Sequence, residues 1–84
     1  MERLKLIKSK ENKFHWGAMI DVFLELNVPE AEIILPRKLM SLAYSGLRNN
    51  IRYRDLDIYV KRDQTSKLLV NRIIMIRKDV KNGI

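Results

Sequence analysis

Arg37, Ser41, Tyr44 and Arg48 recur at i, i+4, i+7 and i+11, the spacing that aligns side chains along one side of an α-helix. Lys38, Ser45 and Asn49 flank that row. A helix face built from cations, hydroxyls and an amide suits phosphate oxygens and base edges. Arginine and asparagine pair bidentately with guanine and adenine in the major groove, whereas Lys38 and Ser41 are of the types that more often hold phosphate. Carboxylates are missing from the row and from its surroundings. Between Glu32 and Asp55 the chain has five basic residues, Arg37, Lys38, Arg48, Arg52 and Arg54, and no acid. The plain alternative is a solvated helix face that happens to lack acids.

Downstream, Arg52, Arg54, Lys61, Arg62 and Lys67 add cations that a hairpin would bring to the flanking nucleic-acid backbone. All three tyrosines, Tyr44, Tyr53 and Tyr59, lie in the same half of the chain, which keeps stacking on unpaired bases as an alternative. Strict alternation would put Tyr53, Asp55, Asp57 and Tyr59 on one strand face. Two carboxylates there would repel a phosphate chain, so duplex DNA is the favoured target.

Other candidate chemistry is thinner. Asp55 and Asp57 at i, i+2 could share a Mg²⁺ ion, but no third acid or base accompanies them, and salt bridges to neighbouring Arg and Lys explain them better. His15 beside Trp16 reads as a capping or packing pair, because catalytic histidine needs partners. The chain has no cysteine and one histidine, which excludes disulfides and a structural zinc site. No glycine-rich phosphate loop or nucleophile motif occurs. An enzyme is not expected, and neither is a cofactor, a metal or a small-molecule substrate.

The elements that must position the basic row follow from periodicity. Leu39, Leu42, Ala43, Gly46 and Leu47 form the apolar stripe opposite it, predicting a helix over 37–49 that opens at Pro36 and is capped by Asn49 and Asn50. An earlier helix is predicted from an Asn12 cap to about Leu26, with Trp16, Met19, Ile20, Phe23 and Leu26 inward. Phe14, Val22 and Leu24 widen its apolar surface enough to suggest a homodimer through helix 14–26. Residues 29–35, bracketed by Pro29 and Pro36, allow one or two helical turns or a brief extended segment. In spacing, the three segments resemble a helix-turn-helix.

The period then changes. Leu56, Ile58 and Val60 alternate with Asp57, Tyr59 and Lys61, predicting a strand, and Asp63 to Ser66 is turn-like. The β-branched run after Lys67 is predicted as the return strand of a hairpin. A C-terminal helix over 66–82, with Leu69, Ile73, Ile76 and Val80 on one face, is the alternative. Arg3-Leu4-Lys5-Leu6 allows a short strand or basic arm.

Totals agree with a nucleic-acid partner. Net charge is +7, with −4 concentrated in residues 14–36 and +8 in residues 37–84. A polyanion would meet the second half of the molecule. No signal peptide or membrane-spanning stretch is visible, so a cytoplasmic protein without a membrane partner is expected.

Together these features predict one domain over residues 1–84 with an α+β fold of winged-helix type, two or three helices followed by a β-hairpin. Its expected role is regulatory or accessory in DNA transactions. A protein-interaction module, an inhibitor or adaptor docking its basic face on an acidic protein, is the competing class, and an RNA or single-strand binder is the third.

Overall fold

The computed structural model describes residues 2–11, 13–63 and 70–78. In chain order the elements are β1 (Glu2–Arg3), α1 (Trp16–Leu26), β2 (Glu30–Pro36), a 3₁₀ turn (Arg37–Leu39), α2 (Met40–Tyr53), β3 (Ile58–Asp63) and β4 (Val70–Arg77). The four strands form one mixed sheet in the order β1-β2-β4-β3. β1 runs parallel to β2; β4 pairs antiparallel with both β2 and β3. The class is therefore α+β, with two α-helices among the described residues.

β2 separates this arrangement from a winged helix. The sequence left 29–35 as a helical turn or a brief extended segment, and the segment is a strand between the two helices, not the turn of a helix-turn-helix. Pro29 and Pro36 leave too few residues for a stable helix, while Ile33 and Ile34 favour extended backbone. Ala31, Ile33 and Leu35 then lie fully buried on the helix side of the sheet. Their registered partners on β4 are Met75, Ile73 and Asn71. A helices-then-hairpin order is thus replaced by a strand interleaved between helices.

The hairpin itself is present. β3 and β4 pair from Ile58↔Arg77 to Asp63↔Arg72, so residues 70–77 form the return strand and not a C-terminal helix. The predicted turn at 63–66 lies largely outside the described residues. At the other edge, the predicted strand at Arg3–Leu6 shrinks to β1, after which the Leu4 N–H donates to the Glu32 carbonyl at 2.8 Å.

One core joins the helices to one sheet face. Trp16, Met19, Ile20 and Phe23 of α1 and Met40, Ala43 and Leu47 of α2 pack on Ile33, Leu35, Ile58, Val60, Ile73 and Met75. α1 starts later than the Asn12 cap would place it. His15 caps it, its Nδ1 accepting the Ala18 N–H at 3.1 Å, and Asn27 in the left-handed conformation closes it. Leu26, predicted inward, is 43% exposed, because the helix turns its Met19–Phe23 stripe to the sheet.

α2 is rotated from the predicted stripe and longer. Met40, not Leu42, completes the buried row with Ala43 and Leu47, and Leu42 is 53% exposed. Gly46 marks the crossing with α1: a Cβ there would stand 2.1 Å from the Trp16 ring, so only glycine allows this approach. Asn50 does not cap the helix. It donates from Nδ2 to the Gly46 carbonyl at 2.8 Å, and the helix continues to Tyr53. The end is a Schellman closure in which Leu56 N–H reaches the Ile51 carbonyl and Asp55 N–H the Arg52 carbonyl, with Asp55 at φ 53°.

Candidate nucleic-acid interface

α2 presents two unlike sides. Toward α1 it is closed by the Gly46–Trp16 contact and by an ion pair, Arg54 Nη2 to Asp21 Oδ1 at 2.7 Å. Toward β3 it is open and basic. There the Arg62 guanidinium lies 4.5 Å from the Tyr44 ring centroid and that of Arg48 lies 5.4 Å away. One tyrosine from the helix thus holds two arginines, one from each element, at geometries typical of cation–π attraction.

The strand alternation explains why Arg62 takes part. Ile58 and Val60 point to the helices, and Arg62 continues that side, whereas Lys61 stands on the opposite face of the sheet. The sequence reading grouped Lys61 with Arg62, and the strand faces separate them.

A groove of about 270 Å³ runs between α2 and β3, lined by Tyr44, Arg48, Ile51, Arg52, Ile58, Tyr59, Val60 and Lys78. A shallower depression on the other side of Tyr44, Arg48 and Arg52 is completed by Ser45 and Asn49. No acid lines either concavity, and among the described residues no carboxylate is ion-paired with Arg48, Arg52 or Arg62.

The predicted residues therefore divide. Tyr44, Ser45, Arg48, Asn49, Arg52 and Arg62 come together around the groove. Arg37 and Lys38 are exposed on the 3₁₀ turn that leads into α2, and Ser41 is exposed one turn further on. Arg54 does not belong, because Asp21 engages it on the α1 side. Lys61 does not join the groove either. Lys67 lies outside the described residues. Lys78 and Ile51 were missed; the β3–β4 register brings Lys78 to the groove mouth, and residue spacing within one helix or strand carries no sign of that.

The other basic residues with side-chain partners tell a different story. On the sheet face away from the helices, Arg72 donates from Nη1 to Glu32 Oε2 at 2.7 Å and from Nε to Asp63 Oδ2. Arg3 Nε approaches Glu32 Oε1 at 3.6 Å. The Arg72 hydrogen bond, with the charge of Arg3 beside it, holds the Glu32 carboxyl below the usual carboxylate range.

The two aspartates after α2 are accounted for by backbone. Asp55 is the left-handed residue of the helix end, and the Asp57 carbonyl accepts from Lys78 N–H at 3.0 Å. The expected shared strand face for Tyr53, Asp55, Asp57 and Tyr59 does not form, because Tyr53 still belongs to α2 and the chain reverses at Asp55. Among the described residues no three His, Asp or Glu side chains converge as a metal-ligand set. None of the described helices is long and apolar enough to cross a membrane. Of the apolar surface on helix 14–26, most is consumed in the core, leaving Val22 and Leu26 exposed beside Leu4 and Ile7.

No protein-family model matches the chain, and neither a curated protein nor a solved structure matches it.

Proposed function

We propose that this protein binds duplex DNA, with α2 laid along the double helix and the groove arginines on its phosphates. One observation carries the reading: Arg48, Arg52 and Arg62 converge from two elements with no carboxylate paired to them among the described residues, in a chain that matches Arg3, Arg54 and Arg72 with acids. Unneutralised cations held close together repel one another, and a row of phosphates relieves that repulsion while releasing condensed counterions. Arg48 and Arg62 are already oriented by Tyr44, so less rotamer freedom is lost on binding. Ser45 and Asn49, exposed beside them, supply the groups that can reach base edges. The role is a binding one, regulatory or accessory, and no reaction is assigned to it.

The test is fluorescence anisotropy with a labelled blunt duplex at rising salt. A log–log slope of about −3 or steeper is expected, since each phosphate neutralised contributes about −0.9. No binding at low salt, or binding indifferent to salt, overturns the reading.

A further inference from the structure

We infer that the α2–β3 groove also accepts a single unpaired nucleotide, its phosphate on the arginines and its base on the groove's aliphatic patch. This rests on the duplex reading and adds to it a preference for strand ends and gaps. A surface built only for duplex phosphates needs cations and nothing more. Here the groove between Arg48, Arg52 and β3 also contains an aliphatic patch, the half-buried Ile51 with the edges of the core residues Ile58 and Val60 behind it. A paired base stays in its stack and leaves Ile51 partly against water; an unpaired base can cover it.

Main-chain geometry supplies the groups that would hold a base edge. Lys78 N–H donates to the Asp57 carbonyl, which makes those two residues a hydrogen-bonded pair. Antiparallel alternation then turns the N–H and C=O of Tyr59 and Lys61 toward β4, and those of Ile58, Val60 and Arg62 away from it. β3 is the edge of the sheet, and among the described residues no strand pairs with that side. Among the described residues these edge donors and acceptors have no strand partner, and they border the groove beside Arg48 and Arg52. Arginine planes and aromatic rings are the usual partners of unstacked bases. At about 270 Å³ the groove is just below the size range of small-ligand sites, and no double helix enters such a space. An acidic peptide strand could use the same edge and cations, but its carboxylates have no use for the aliphatic patch.

The experiment compares three DNAs at one salt concentration: a blunt duplex, the same duplex with a short oligothymidine overhang, and one whose overhang is abasic. The last keeps the phosphates and removes the bases. The native protein is expected to bind the thymidine overhang about tenfold more tightly than the blunt end, with most of that gain absent from the abasic overhang. Ile51→Ala, at a half-buried groove residue, should shrink the gain, with a thermal melt confirming the fold. Equal affinity for all three DNAs overturns this inference and leaves the duplex reading standing. Equal affinity for the two overhangs also overturns it, since phosphates alone then suffice. A full preference retained by Ile51→Ala places the base elsewhere, and displacement of the overhang DNA by oligoglutamate at matched charge points to an acidic strand; either result overturns the assignment. Absence of binding to any DNA overturns both readings.

Discussion

Two sets of arginines in this small fold are treated in opposite ways. On the outer sheet face Arg72 bridges Glu32 and Asp63, and Arg3 adds to the same carboxylate. In the groove Arg48 and Arg62 share only the face of Tyr44, and Arg52 has no acid beside it among the described residues. The first set joins β1, β2, β4 and β3 across the strand register and belongs to the fold. The second is an arrangement that a fold alone does not need. On the proposed reading, the second set marks the surface that would meet an outside anion.

The largest expected effect separates the two sets directly. Arg48→Ala combined with Arg62→Ala should weaken duplex binding by about 10- to 100-fold, the loss of two charge-assisted contacts, with the thermal melt little changed. Arg3→Ala combined with Arg72→Ala should do the reverse, lowering the melting midpoint while duplex affinity falls far less. If both pairs weakened binding equally, the distinction between the sets would be lost.

Next in size is Glu32→Gln, which should cost about 1 kcal/mol in denaturant unfolding, limited because Arg3 and Arg72 remain partly hydrated. The pH dependence has a definite sign. Glu32 in the folded protein stays ionised to lower pH than in the unfolded chain. Its contribution is therefore present above the ordinary carboxylate range and is lost as pH falls through the depressed folded value. Native protein should lose stability more steeply than Glu32→Gln on acidification below about pH 4.5.

A smaller change brings the outer-face pattern into the groove. Ser45→Glu places a carboxylate at i, i+3 from Arg48 and should raise helix stability by a few tenths of a kcal/mol while reducing duplex affinity several-fold. A Ser45→Glu protein that bound duplex as well as the parent would mean that Arg48 is not a contact. The smallest effect belongs to Asp55→Gly, at the left-handed helix end. It should stabilise the protein by about 0.5–1 kcal/mol, read in a melt, without altering the salt slope of binding.

How much of this was legible follows the range of the signals. Strand β3 and helix α2 were readable because their periods, two and 3.6, are local. So was the basic side of α2, since carboxylates are missing over a continuous run. The stripe opposite was misread by a fraction of a turn: Met40 and Leu42 are equally apolar in sequence, and only contact with the sheet decides which is buried. β2 was ambiguous because six residues between prolines suit a strand only when neighbours pair with them, and the β4 neighbours are more than thirty residues away. Arg54 and Arg62 looked alike as cations. Asp21 claims the first and Tyr44 orients the second, both through contacts far apart in the chain.

The central claim is tested most directly by the salt dependence of duplex affinity, measured side by side for the native protein and for Arg48→Ala with Arg62→Ala. With two phosphate contacts removed, the magnitude of the log–log slope should fall by about two. A slope and affinity unchanged in the double variant, with the fold intact, would contradict the account.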